Sequence, residues 1–448
     1  MQSLNFFSFF LCCVAIFSFA ISLFFHQKHH HLNANRREDY GISKQSITAL
    51  GDNKTYIISA YYDSRRSKSV RVLAIIHESV KELYCWFHCA YKDHVLVTAQ
   101  IDLHRDRFGF RYGTADLLCE EPPDCIYEFV SVHWSRTRPI TSVPRFEVKN
   151  RVVGPFSANF TVCISGLYGE YNNVLQMIQS FEMYKLLGAN RVTIYKNGCH
   201  ENVEKIVQYY VKEGFLDLVT WPIDRYLRTS NKWLQSRDPT SQVGYYGQTA
   251  VLNDCMYRNM YRSKFVLLND IDEIILPTKH LDWESLMSTL QEKYPQTSVF
   301  RIENHFFTRF LNDSDGNMWN DIPGVNILLH TSRLPINPAI YNSRKMIINP
   351  KKVIQTSIHE VLKADGKSTD VSIDDVILFH CKKIGRPKLA KETVIEDNTI
   401  GRYHNRLVQN VDNVIRNFHS NAQVLQMCNL FFFIMSVICG ISCVYSTF

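Results

Sequence analysis

The period of apolar and polar positions changes along the chain. Leu4 to Phe25 is an unbroken apolar and small-polar run of 22 residues, long enough to span a bilayer. Residues 26–54 are mostly polar, carry a His run (His29, His30, His31) and read as a stem. From Thr55 the period is two. Alternating segments at Thr55–Ala60, Val70–Ile76, Leu83–His88, Val95–Gln100 and Tyr127–His133 predict a small β-rich module, and Arg136–Asn150 reads as a linker with two prolines. Residues 55–150 therefore form one β-rich region. Met427–Val444 is a second apolar run, interrupted only by Asn429, Ser436, Gly440 and Ser442.

Between about 155 and 405 the pattern becomes strand, helix, strand, helix. Phe160–Ser165, Val192–Tyr195, Leu216–Trp221 and Phe265–Leu268 read as strands. Tyr171–Leu187 is an expected helix with Val174, Met177, Ile178, Phe181 and Tyr184 on one face and Gly188 just past its end. Val203, Ile206, Val207 and Tyr210 mark a second helix closing at Gly214, and Thr249–Tyr261 a third. Strands alternating with helices at this spacing predict an α/β fold with a doubly wound, mostly parallel sheet. The strand Phe265–Leu268 is a continuous apolar run, as expected of a fully buried parallel strand. It ends on Asp270-Ile-Asp272, and in such sheets ligands bind at the carboxyl ends of strands. Two carboxylates there suit a divalent cation that in turn holds a diphosphate. An acidic turn or helix cap is the bland alternative for the tripeptide alone.

Composition narrows the setting. The net charge is only +7, and its Lys and Arg residues are scattered, so no nucleic-acid partner is expected. Five of the thirteen cysteines lie in the terminal apolar runs. The other eight are Cys85, Cys89, Cys119, Cys125, Cys163, Cys199, Cys255 and Cys381, an even set that suits an oxidising compartment. A zinc site on Cys85, Cys89, Cys119 and Cys125 would need the loose Cys119-x5-Cys125 spacing. Sequons at Asn53, Asn159 and Asn312 agree with a luminal domain. The first apolar run then reads as an uncleaved signal anchor at 4–25, although Lys28, Arg36 and Arg37 after it oppose that orientation on charge alone. The run at 427–444 is a second span, a GPI-attachment signal after Ser420-Asn421-Ala422, or a buried helix.

An ordered set of blocks resembles glycosyltransferase family 92. These are Cys163-Ile-Ser-Gly-Leu-Tyr-Gly-Glu170, Tyr184–Tyr195, Ala250–Arg258, Asp270-Ile-Asp-Glu273, Ser343–Pro350, His359-Glu360 and His380-Cys-Lys382. The resemblance covers roughly Phe160 to Arg402, its nematode members looking closest. It implies a GT-A-like fold over 155–405, a UDP-sugar donor (best UDP-galactose), a Mn2+-class cation, inversion at the anomeric carbon, a glycan acceptor and a Golgi-type luminal setting. Asp270 and Asp272 are the expected cation ligands, with His380 as the third and His359 as runner-up. Ser165, Glu170, Lys196 and Asn197 occupy the edge where the nucleotide would sit, and Arg344 or Lys345 would offset diphosphate charge. Glu170 could equally cap the helix that follows. For the base that takes the acceptor proton, Glu303 is preferred over Glu273 and Glu360. Glu303 sits beside the run His305-Phe306-Phe307, which could stack on a sugar.

Two other function classes compete. A haloacid dehalogenase-type phosphatase also places Asp-x-Asp after an apolar strand, but wants a small hydroxyl residue where Ile274 stands. A catalytically inactive protein could keep the fold and bind glycans, with Trp86 or Trp134 as stacking surfaces.

Overall fold

The computed structural model describes residues 41–137, 143–309, 318–381 and 394–418. Both long apolar runs, most of the stem, Lys382 and the Asn312 sequon lie outside the described residues. Among the described residues no helix is long and apolar enough to cross a membrane. The Asn53 and Asn159 side chains are exposed.

Residues 48–149 build a nine-stranded, mainly antiparallel sheet around Thr55–Asp63, Ser69–His77 and Tyr112–Glu120. Its two edge strands, Val95–Thr98 and Gln100–Leu103, are consecutive in sequence. A bend at Ala99 thus carries the chain from one edge to the other and leaves little free edge. Tyr127–His133 forms as expected. Two expectations are corrected. Tyr112–Glu120, absent from the alternating segments above, is also a strand, and its Asp116 is fully buried against Arg71. The expected linker contains a strand, Phe146–Lys149, which pairs in parallel with Thr55–Asp63.

Cys85 is bonded to Cys119 and Cys89 to Cys125, which displaces the zinc reading. A third disulfide joins Cys163 to Cys255, whereas Cys199 and Cys381 are free thiols. Three disulfides are those of a chain that folds in an oxidising, secretory-pathway compartment.

The α/β domain that follows runs β1 (Ala158–Leu167), α1 (Val174–Leu186), β2 (Arg191–Lys196), α2 (Glu201–Glu213), β3 (Leu216–Thr220), α3 (Gln248–Asn259), β4 (Ser263–Asn269), β5 (Glu273–Pro277), α4 (Trp283–Lys293), β6 (Thr297–Ile302), β7 (Asn304–Thr308), β8 (Lys345–Ile348), β9 (Lys367–Asp370) and β10 (Val376–Cys381). The main sheet has the order β3-β2-β1-β4-β8-β6-β9. Only β8 runs against the other six strands. A second sheet contains β5, β10 and β7.

Helix α2 buries Val203, Ile206, Val207 and Tyr210 and ends at Gly214, whose φ of 80° only glycine adopts readily. Helix α1 shows the expected apolar face but is buried all round. Its polar side chains are used inside: Gln176 donates to the Cys381 carbonyl at 2.7 Å and Ser180 to that of Ile271 at 2.8 Å.

The module and the domain share one core. Tyr56, Ile58, Tyr61, Leu73 and Ile75 pack with α3 and with Val266 and Leu268 of β4. The next residues on the same strands, such as Ile57, Ala60 and Val72, face the module's own core. Both faces of the Thr55–Asp63 strand are therefore covered, and a register shift between Ile57 and Ser59 keeps Tyr61 facing α3. Tyr61 donates to Asp254 at 2.7 Å and Arg65 to the Tyr257 hydroxyl at 2.7 Å.

Candidate active site

Phe265, Val266, Leu267 and Leu268 bury completely at the centre of the main sheet, and β4 ends at Asn269. The chain then turns, with the Glu273 amide bonded to the Asp270 carbonyl at 3.2 Å, and enters β5 of the second sheet. Asp270 and Asp272 thus stand where the chain switches sheets, at the carboxyl end of a central strand. Two neighbours complete the site by register. Met346 of β8 lies opposite Leu268, which brings Lys345 to the end of β4. His380 of β10 pairs with Glu273 on one side and Phe306 on the other.

Lys345 Nζ lies 2.7 Å from Asp270 Oδ2 and 3.3 Å from Glu273 Oε2. Burial alone would lower the lysine pKa, but Asp270 and Glu273 more than reverse this, so the ammonium stays charged. Enclosure alone would raise the Asp270 pKa, and Lys345, with Ser165 and His359 adding to it, holds it below the usual carboxylate range. Ser165 donates to Asp270 Oδ1 at 3.1 Å, and Gln248 Nε2 approaches the same oxygen at 3.3 Å. Glu273 accepts from the Asp270 amide at 3.0 Å. Its burial pushes its pKa up to about 7 although Lys345 opposes this.

His380 Nε2 faces Asp272 Oδ2 at 3.3 Å. Its Nδ1 lies 3.3 Å from Asn304 Oδ1 and 3.5 Å from Glu273 Oε1. Among the described residues no group of three or more His, Cys, Asp or Glu side chains is disposed to hold a metal ion. The donor set still fits one: a carboxylate oxygen and an imidazole nitrogen face each other, and Asn304 orients the imidazole from behind. Asp270 is taken up by Lys345 instead.

The structure therefore brings Asp270, Asp272, Glu273, Ser165, Lys345 and His380 together. The other expected residues lie around this group or are paired away from it. Glu170 is exposed in the loop before α1, and Asn173, not Glu170, stands at that helix's N-cap. Lys196 is paired with Glu204 of α2 at 2.6 Å. Asn197 donates to Asp224 at 2.7 Å and to the Trp221 carbonyl at 3.2 Å. Arg344 pairs with Asp370 at 3.3 Å, and its carbonyl lies 3.0 Å from His359 Nδ1. Glu360 is exposed beside Arg105 at 3.7 Å. Glu303 is one-third exposed, 3.6 Å from His305 Nε2.

Sequence reasoning missed Gln248, Asn304 and an aromatic cluster. Tyr168 stacks on Tyr246 with centroids 4.4 Å apart, and Tyr245 on Trp233 at 4.5 Å. A cleft beside the acidic turn is lined by Ser165, Tyr168, Asn197, Trp221, Tyr246 and Gln248. The signal for it was present: Tyr245-Tyr-Gly-Gln248 places two aromatics immediately before the helix that leads into β4.

The sequence profile of glycosyltransferase family 92 matches residues 158–421, more than half of the chain. This chain belongs to glycosyltransferase family 92. It is 23% identical over 239 residues to the Caenorhabditis elegans beta-1,4-galactosyltransferase galt-1, covering 50% of this chain and 52% of that protein. The chain thus spans about half the length of that relative. It is 21% identical over 392 residues to the Arabidopsis thaliana galactan beta-1,4-galactosyltransferase GALS3, covering 78% of this chain and 71% of the other. Among solved structures, S. aureus TarS in complex with UDP-GlcNAc is 12% identical, with a TM-score of 0.28 over 51% of this chain and 60% of that one. The relatives this chain matches at low identity include proteins named galactosyltransferases.

Proposed function

We propose that this family 92 protein transfers a hexose, galactose from UDP-galactose, to a glycan acceptor in the Golgi lumen, with inversion. The observation that carries the reading is the acidic turn itself: Asp270 is neutralised by a buried lysine while Asp272 faces His380. The relatives' names supply the sugar, and the disulfides the compartment.

Asp272 and His380 would hold a Mn2+-class cation. That cation, when bound, offsets the negative charge developing on the leaving diphosphate. The chain's own groups do the rest. Lys345 is fixed and charged at the same turn and cancels the Asp270 charge, so that carboxylate does not repel the diphosphate. Tyr168 and Tyr246 present aromatic faces in the cleft with Asn197 and Ser165, suited to a nucleoside. Glu273, buried beneath Lys345 and His380, braces both and does not reach an acceptor. Glu303 is the base we propose, because it is neither buried as Glu273 is nor beside an arginine as Glu360 is. Glu360 is drawn away by Arg105.

The test uses the full chain, produced in a secretory host, with UDP-galactose and other UDP-sugars and a panel of β-galactosyl acceptors. Mn2+-dependent transfer that is lost on chelation and in Asp272→Asn is expected. No turnover with any UDP-sugar would sink the reading in favour of a glycan-binding protein.

A further inference from the structure

We propose that the β-rich module completes the acceptor subsite, with Phe108 and Trp233 forming an aromatic platform for the sugar that receives the hexose. This rests on the transferase reading above.

The module's loop before Tyr112–Glu120 reaches over the α/β domain. The Gln235 amide donates to the Phe108 carbonyl at 3.1 Å, and the Tyr112 amide to that of Gln242 at 3.2 Å. Phe108 is held at φ 53°, followed by Gly109 at φ 87°. A bulky side chain in that left-handed region is an outlier, and such outliers cluster at ligand sites. Its ring stands edge-on to Trp233 at 5.8 Å, and Trp233 stacks on Tyr245 at 14°. Tyr245 and Tyr246 are themselves left-handed, at φ 40° and 54°. Three aromatics in a disfavoured backbone conformation thus converge on one place.

A purely structural cluster would bury its rings. Phe108 instead keeps 38% of its surface exposed. The cleft between the two parts is lined by Asp106 and Phe108 from the module and by Trp233, Tyr245 and Gln248 from the domain. Two buried oxygens of lining residues have no hydrogen-bond partner among the described residues, Gln248 Oε1 and Asp106 Oδ2. Gln248 spends its amide nitrogen on Ser165 and Asp270, so its oxygen is left for another donor. Apolar faces beside unpaired acceptors match a pyranose, whose C–H face stacks while its hydroxyls donate. Gln248 touches Asp270, so a sugar held here lies next to the reacting centre. His359, 5.9 Å from Trp233, closes the same side.

The experiment compares the full chain with Phe108→Ala and Phe108→Trp. In Phe108→Ala the acceptor KM rises about tenfold while kcat, the UDP-galactose KM and the melting temperature hold, and Phe108→Trp restores the acceptor KM. A rise in the donor KM instead, or no change in either, overturns the proposal. If the parent transfers nothing, the transferase reading fails on its own. The platform is then read by tryptophan-fluorescence titration with β-galactosyl oligosaccharides. Binding by the parent that Phe108→Ala weakens supports it; absent or equal binding overturns it.

Discussion

Lys345 sits between Asp270 and Glu273, and removing its charge would leave the buried Glu273 carboxylate facing a partly open Asp270. Breaking a buried ion pair from one side costs about 3–5 kcal/mol, and the partial opening of Asp270 to solvent points to the lower end. Lys345→Met is therefore expected to lower the denaturant midpoint as well as abolish transfer. An unchanged midpoint would show that the lysine is not structurally paired. Asn304 makes a separable prediction, because it touches His380 rather than the proposed ligand pair's open side. Groups that orient a ligating imidazole are worth about 10- to 100-fold in metal affinity. Asn304→Ala should raise the Mn2+ concentration for half-maximal activity about tenfold, with the donor KM at saturating Mn2+ unchanged. A shift in the donor KM alone would place Asn304 elsewhere in the mechanism.

At the scale of elements, α3 shows what the sequence could reveal. Its position before β4 was legible, because an apolar-periodic segment leads directly into the Phe265–Leu268 run. Asp270, Asp272, Ser165 and His380 were legible for the same reason, as residues ending or just following strands of continuous apolar character. Lys345 and Arg344 could not be separated in advance, since only the β4–β8 register decides which one points into the turn. The two aromatics of the lead-in Tyr245-Tyr-Gly247 were legible, but its backbone conformation was not. It takes three left-handed residues in succession, and only Gly247, at φ 72°, does so without strain. Gly247→Ala should cost about 1–2 kcal/mol, read as a lower denaturant midpoint, because a left-handed backbone is disfavoured for alanine. A Cβ there would meet Ile75 and Trp221 only at 3.5 Å, so crowding adds little.

Helix α3 also carries the pH dependence. Burial alone would raise the Asp254 pKa, but Arg258, Lys149, Tyr195 and Tyr61 lower it to about 2. The group is depressed relative to its ordinary value, so its stabilising contribution is complete above about pH 4 and is lost as pH falls through 2. Roughly two pKa units correspond to about 2–3 kcal/mol. Asp254→Asn should flatten the acid limb of stability between pH 4 and 2, measured by denaturant unfolding. A parallel limb in the variant would assign the acid sensitivity to other carboxylates, such as Asp63 beside Arg65 and Arg71.

The whole molecule behaves as two parts with one core, and its disulfides test that. Cys85–Cys119 and Cys89–Cys125 close stretches of 34 and 36 residues within the module. Chain-entropy reasoning assigns about 4 kcal/mol to a loop of that size, and the two loops overlap too closely for their effects to add. Loss of both bridges is then expected to lower the melting temperature of so large a cooperative unit by about 5 °C. What unfolds with the module is the sharper question. Tyr61 anchors Asp254 in α3, Gln355 reaches Asp116 at 2.8 Å, and Thr114 meets Thr249 at 2.8 Å. The sheet strand β4, which delivers the acidic turn, packs on the other side of that same helix. Unfolding the module would therefore uncover α3 and release β4. In calorimetry the Cys85→Ser, Cys119→Ser, Cys89→Ser, Cys125→Ser variant should melt in one cooperative transition at lower temperature, with activity lost in the same interval. Two separated transitions, with transfer surviving the first, would mean that the α/β domain stands alone and that the shared core contributes little.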